Sequence, residues 1–122
     1  MSGYKGKKGK AWEAVKLSTR RREKDCYTCP QKDLLANGRK ADAGHYKPVA
    51  LVGSNNKLSW EPRFIHLQCA TCNGPGQGMA LEYRAHLIKD FRESVVEWFE
   101  ANWRKVNPVK DWDEVIRTFE SL

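Results

Sequence analysis

The sequence predicts a small α+β fold: a short β-hairpin, stapled by a metal ion, with helices before and after it. Three observations carry this. Four cysteines fall in two CxxC pairs, Cys26–Cys29 and Cys69–Cys72. Two short stretches between Lys40 and Cys69 have strand character. Both ends of the chain show helical spacing of apolar residues. The 122 residues suit one domain, and a core of that size benefits from a staple.

The elements follow in order. Residues 1–10 are Gly- and Lys-rich and read as a flexible basic arm. Residues 11–122 read as a single zinc-containing domain, whose C-terminal helical extension spans about 80–122. From Ala11, the positions of Trp12, Val15 and Thr19 predict a helix, which ends near Asp25 with Arg20, Arg21 and Arg22 in its last turns. Cys26–Pro30 is a tight turn, and Asn37-Gly38 marks another. Ala41–Tyr46 predicts a first short strand. Pro48–Pro62 reads as a long loop. Arg63–Gln68 alternates and predicts a second strand. Cys69–Gly78 is Gly-rich and turn-like. Leu81, Leu87, Ile88, Phe91, Val95, Trp98 and Phe99 predict a helix over Ala80–Trp103, with a break near Asp90. Asp111 and Glu114 form a capping-box pattern for a last helix carrying Val115, Ile116 and Phe119.

A CxxC turn aims two sulfurs at one point, and two such turns complete the tetrahedral set that zinc takes. No cysteine is left over. Met1–Lys10 contains no apolar stretch and so no secretory signal, which disfavours disulfides. A redox CxxC leaves the second pair unexplained. Cys26, Cys29, Cys69 and Cys72 are therefore the expected ligands of a structural Zn²⁺. No apolar run nears the roughly 20 residues of a membrane helix, which points to an intracellular protein without a membrane partner.

The formal net charge is +7. Residues 1–24 hold nine basic side chains and two acids, which accounts for the whole excess. An anionic partner is expected, nucleic acid first. Lys5, Lys7, Lys8, Lys10, Arg20, Arg21 and Arg22 are the candidate phosphate contacts, against the alternative of a solubilising tail. If the arm supplies capture alone, deleting residues 1–10 should weaken binding more than cleavage at saturation. Lys47 and Arg63 border the central loop and are further backbone contacts. Arg84 is either a phosphate ligand or half of a surface ion pair.

Between and after the knuckles lie Asp42, His45, His66 and Asn73. Asp and Asn oxygens are hard donors suited to Mg²⁺ or Mn²⁺. A neutral imidazole can accept a proton from water. A hydrated divalent cation and a histidine base suffice for phosphodiester hydrolysis. His66 stays open between metal ligand, phosphate contact and structural brace.

The ordered segments CYTC, DAGHY, FIHLQCATCN and ALEYRAHLI resemble the HNH, or ββα-metal, nucleases. More narrowly they resemble the phage NinG family, also called Rap, of recombination endonucleases. The resemblance runs from about Val15 to about Trp103. It implies a ββα-metal, HNH-like hairpin and helix around a catalytic Mg²⁺ or Mn²⁺, with the zinc behind. It implies His45 as general base, Asn73 as a metal ligand from the helix, and Asp42 as the carboxylate ligand. It further implies cutting of branched DNA such as Holliday junctions, in the bacterial host cytoplasm, and a homodimer suits a junction with two scissile strands. Two departures stand out. Gly44, not an acid, precedes His45, and Asp42 lies three positions before it, so a bulge at Gly44 is expected to bring both to one side. Phe64 stands where the motif has its middle Asn. The rival from another class is a non-catalytic zinc-stapled binding protein. A third reading keeps the nuclease but gives it packaging or host-DNA degradation.

Overall fold

The computed structural model describes residues 4–122. Helix α1 spans Gly6–Arg22, strand β1 Ala41–His45, helix α2 Val49–Val52 and strand β2 Ile65–Cys69. Helices α3 (Ala70–Asn73), α4 (Ala80–Phe91), α5 (Glu93–Asn102) and α6 (Trp112–Glu120) follow. β1 and β2 form a two-stranded antiparallel sheet, so the architecture is a small α+β fold. No helix among the described residues is long and apolar enough to cross a membrane.

The expected flexible arm is largely helix. α1 begins at Gly6, not Ala11, because tertiary contacts hold its first turns. Tyr4 packs against Trp60 at 6.5 Å between ring centres. Lys7 pairs with Asp113 at 2.7 Å. The part of the arm formed by Met1–Gly3 lies outside the described residues. α1 buries Ala11, Ala14, Val15, Ser18 and Thr19 against α6 and the sheet.

The hairpin register is regular: Ala41 faces Cys69, Ala43 faces Leu67, and His45 faces Ile65. These residues share one side of the sheet. Ala43 and Ile65 join the α1 core with Trp60 and Phe119, while Ala41 and Leu67 pack around the cysteines. The other side carries Asp42, Gly44, His66 and Gln68. It backs onto a third core of Tyr46, Phe64, Tyr83, Leu87, Val96 and Phe99.

The expected bulge at Gly44 is absent. Gly44 is needed for a different reason: a Cβ there would overlap the buried side chain of Gln68, lying 2.6 Å from its Cδ. The helix expected over Ala80–Trp103 is broken two residues beyond Asp90, close to the expected place, into α4 and α5. Arg92 takes φ 87, a value no α-helix contains, and the turn there lets Leu87 of α4 and Val96 of α5 reach one core. The central loop is not structureless either. It holds α2 and single helical turns at Lys57–Trp60 and Pro62–Phe64. Asn56 caps the first turn by accepting Leu58 N–H at 2.9 Å and donating to the Trp103 and Lys105 carbonyls. Asp111 caps α6 as its pattern predicts, accepting from Asp113 and Glu114 N–H.

A cysteine cluster behind a histidine pocket

Cys26 and Cys29 lie in the turn after α1, and Cys69 and Cys72 at the start of α3. The turn is anchored by Tyr27 N–H donating to the Leu67 carbonyl at 2.8 Å. The four sulfurs lie within 4.8 Å of one another, and all four thiols are free. Cys29 and Cys69 sulfurs are 3.7 Å apart. Tetrahedral zinc with Zn–S bonds of about 2.3 Å sets that separation near 3.8 Å. The cluster can hold a metal such as zinc. Backbone N–H groups already point at two sulfurs, Cys69 N at Cys26 Sγ (3.3 Å) and Cys72 N at Cys69 Sγ (3.4 Å). Such donors stabilise thiolates around a cation.

His45, at the end of β1, lines a cavity of about 340 Å³ with Ala43, Pro48, Val49, Asn73, Gln77 and Gly78. Its Nε2 lies 2.8 Å from the Ser59 carbonyl. A carbonyl only accepts, so Nε2 carries the proton and donates it. Nδ1 is left with its lone pair and no hydrogen-bond partner among the described residues. Trp12 of α1 stacks on the ring at 5.8 Å and 23°. Burial lowers the His45 pKa to about 4 from its ordinary 6.5, only partly offset by the Ser59 bond, so the ring is neutral at physiological pH. The Ser59 carbonyl is itself held: Ser59 Oγ donates to the Gly53 carbonyl at 2.7 Å.

Asn73 lines the same cavity and its Nδ2 lies 3.4 Å from Asp42 Oδ2. The regular register keeps Asp42 on the opposite side of β1 from His45. Asn73, reaching the strand from α3, is the residue that touches both environments. Phe64, in place of the motif Asn, is core: it stacks on Phe99 at 4.0 Å. Asn56 orders the loop, and the Ser59 carbonyl orients the His45 ring.

His66 does not join this pocket. It is 6 % exposed, on the far side of the sheet. Nδ1 meets Glu23 Oε2 at 2.6 Å and Nε2 meets the Arg63 carbonyl at 2.8 Å. Tyr27 stacks flat on its ring at 3.9 Å. Both nitrogens are occupied by the fold, which leaves none for a metal or a proton transfer and makes His66 a brace. Arg84 pairs with Glu100 through Nε (2.9 Å) and Nη2 (3.1 Å), the ion-pair alternative of its two expected roles. Arg63 pairs with Glu61 at 3.2 Å and lies over Trp98. Lys47 makes no ion pair among the described residues and lies over Tyr46 and Trp103, with Glu100 near enough to feel its charge.

The basic residues of α1 divide. Arg21 donates to the Phe119 and Leu122 carbonyls, and Arg22 to Ser18 Oγ with Glu23 nearby. Lys8 reaches Ser54 and Asn55, and Arg20 reaches the Ala41 carbonyl. Lys5 and Lys10 are exposed. Sequence reasoning passed over Glu23, Asn56 and Ser59. The Asn56 cap before a helical turn was the one local signal. Glu23 and Ser59 act on partners 43 and 14 residues away, with no local pattern to mark them.

A family model described as Bacteriophage Lambda NinG protein matches residues 4–120. Similar curated proteins include protein ninG of Enterobacteria phage H19B, 33% identical over 92 residues. Protein ninG of Escherichia phage lambda is 32% identical over 94 residues, and that of Salmonella phage P22 is 30% identical over 97. The alignments take in 75–78% of this chain and 43–44% of the relatives, so the chain spans less than half the length of the curated proteins it matches. No solved structure matches it significantly. The family model nonetheless covers nearly the whole chain, from Tyr4 to Glu120, and the chain belongs to the NinG family of bacteriophage proteins.

Proposed function

We propose that this protein is a metal-dependent endodeoxyribonuclease of the HNH type, acting on branched DNA such as recombination intermediates in the bacterial host cytoplasm. The observation that carries the reading is His45: a neutral imidazole with Nε2–H fixed on the Ser59 carbonyl and Nδ1 free, lining a cavity with Asn73. That is the tautomer and environment of a general base.

In the proposed reaction, His45 Nδ1 takes a proton from a water that attacks the scissile phosphorus. A P–O bond forms to that water, and the bond to the 3′-oxygen breaks. Solvent returns a proton to the leaving oxygen, giving 5′-phosphate and 3′-hydroxyl ends. Asp42 and Asn73 supply carboxylate and amide oxygens suited to Mg²⁺ or Mn²⁺. Asn73 Nδ2 donates to Asp42 Oδ2 at 3.4 Å, which makes the two side chains neighbours; a cation between them would need the Asn73 amide turned so that its oxygen faces it. Bound there, the cation would stabilise charge on the pentavalent phosphorus and the departing oxygen. Trp12 holds the base from the α1 side, and Asn56 with Ser59 fixes the loop that presents the carbonyl. In this reading zinc at the cysteine cluster is structural, holding α3, and so Asn73, against the hairpin.

The decisive experiment compares four-way junction, fork, single-strand and duplex DNA under Mg²⁺ and Mn²⁺, with wild type and His45→Ala. Cleavage by wild type, lost in a folded His45→Ala variant, is expected. If zinc-loaded wild type leaves every substrate uncut in both metals, the non-catalytic binding role replaces this one. Preference for linear duplex would favour packaging or host-DNA degradation. A dimer binding the two scissile strands of a junction would bury the 44 % exposed Trp98 on α5, a proposal checked by light scattering with and without junction.

A further inference from the structure

We propose that one flank of α1 is a rail for a DNA backbone, with Lys8, Lys16 and Arg20 as its phosphate contacts and His45 beside it, one turn from Lys8. The inference rests on the reading of the His45 pocket as DNA-facing. Positions 8, 12, 16 and 20 recur every fourth residue. On a helix of 3.6 residues per turn they form one gently winding stripe.

Members of this stripe are tied to elements that frame the pocket. Lys8 Nζ donates to Ser54 Oγ (2.6 Å) and Asn55 Oδ1 (3.0 Å), in the loop leading to the Ser59 carbonyl. Trp12 stacks on His45 itself. Lys16 Nζ lies 6.0 Å from the Trp12 ring centre. Arg20 Nη2 reaches the Ala41 carbonyl at 3.5 Å, next to Asp42. Lys8 and Arg20 have no carboxylate partner among the described residues. Lys16 pairs with Glu13, itself 62% exposed. Such an exposed pair is weak and easily exchanged for a phosphate.

The other flank of α1 serves the fold. Lys7 is paired with Asp113, and Arg21 is spent on the C-terminal carbonyls of α6. Net charge alone therefore does not locate the binding face; the position of the stripe beside His45, through Trp12, does. Lys8 and Arg20 lie about 18 Å apart along the helix axis. That matches roughly five phosphates of one duplex strand at about 3.4 Å rise each. Trp12 is one turn from Lys8, so the phosphate at His45 falls nearer the Lys8 end. The rail thus gives the bound strand a polarity relative to the base.

The test measures anisotropy of fluorescein-labelled four-way junction and matched linear duplex across a salt series. It uses zinc-loaded full-length protein without Mg²⁺ or Mn²⁺, so nothing is cut. Lys8→Ala combined with Arg20→Ala is expected to reduce the slope of log K against log salt on the duplex by about 1.8, or about 0.9 per phosphate contact. Lys7→Ala combined with Arg21→Ala removes the same formal charge and is expected to reduce it by under about 0.5. Circular-dichroism melts establish that both variants fold. Equal losses in the two variants would overturn the rail, as would wild type that shows no salt-dependent binding. Tighter binding of matched duplex RNA would overturn the assignment to DNA. If the contrast holds while wild type cuts nothing, the rail stands and the nuclease reading falls.

Discussion

Replacing Glu23 tests whether hydrogen bonds, rather than helix packing alone, join α1 to the hairpin. One carboxylate serves two buried donors there. Oε2 takes His66 Nδ1 at 2.6 Å and Oε1 takes Leu67 N–H at 2.9 Å. Leu67 is fully buried and the His66 side chain is 7% exposed, so water entering from the neighbouring cavity replaces the lost acceptor only in part. Each orphaned buried donor costs about 1–3 kcal/mol. Glu23→Ala should therefore lower stability by about 2–6 kcal/mol. At about 3–5 °C per kcal/mol for a chain of this size, the midpoint should fall by roughly 6–30 °C. Glu23→Gln should behave differently. The amide oxygen can take Leu67 N–H, and the amide NH₂ can donate to Nδ1 while Nε2–H serves the Arg63 carbonyl. Every donor keeps an acceptor, and the expected loss is under about 1 kcal/mol. Urea and thermal unfolding at saturating zinc measure both. Equal losses in the two variants, or a Glu23→Ala loss within about 0.5 kcal/mol of zero, would refute the reasoning.

Gly44→Ala should destabilise by about 1–3 kcal/mol, since the new methyl meets the buried Gln68 amide and the strand must shift; unchanged urea midpoints would contradict this. His45 contributes a pH dependence of definite sign. Its folded pKa of about 4 lies below the ordinary 6.5, so the unfolded chain binds the proton first as pH falls. The contribution is fully present above about pH 6.5 and is lost as pH drops through about 4. His45→Gln should flatten that limb relative to wild type, and parallel stability profiles would sink the assignment. Cys26→Ser should reduce bound zinc from about one per chain and unfold the domain, as seen by metal analysis and circular dichroism. A folded, metal-free wild type with two disulfides would overturn the zinc site.

What was legible in the sequence is what local chemistry dictates. CxxC spacing brings two sulfurs to one point in any fold, so the cysteine cluster could be read directly. Period-2 runs marked both strands to within two residues at either end, and Asp111 marked the start of α6. The rest depended on distant partners. His66 looked like a half-exposed strand histidine near a metal. Only the fold brings Glu23 and Tyr27 onto its ring. Arg84 finds Glu100 because Arg92 turns the chain between α4 and α5. The missing motif Asn looked like a loss of loop order. The backbone carbonyl of Ser59 fixes the His45 ring, and no side-chain pattern announces a carbonyl.

The start of α1 changes what the basic N-terminus can do. A floating arm would affect capture alone, and its removal would leave the saturated cleavage rate intact. Residues 6–10 are instead the first turns of α1. Lys8 there binds Ser54 and Asn55, and Trp60 Nε1 donates to the Ser54 carbonyl at 2.9 Å. Ser59, between these anchors, carries the carbonyl that fixes His45. Deleting residues 1–10 thus removes one support of the loop that fixes His45, along with the four lysines Lys5, Lys7, Lys8 and Lys10. The expected result is a drop in single-turnover rate at saturating DNA as well as weaker, less salt-sensitive binding. Lys8→Ala should reproduce part of the rate loss, because it frees the same loop. Lys5→Ala should not, since Lys5 precedes the helix and is exposed. A deletion that weakens binding but leaves the saturated rate unchanged would return the segment to a mere capture arm. It would also detach Lys8 from the geometry of the base. The charge of about −2 on a zinc held by four thiolates sharpens the point. With zinc bound there, that charge would repel a phosphate from the knuckle side, so on the proposed reading the offsetting cations need to be fixed close to the pocket, which a helix achieves and a loose arm does not.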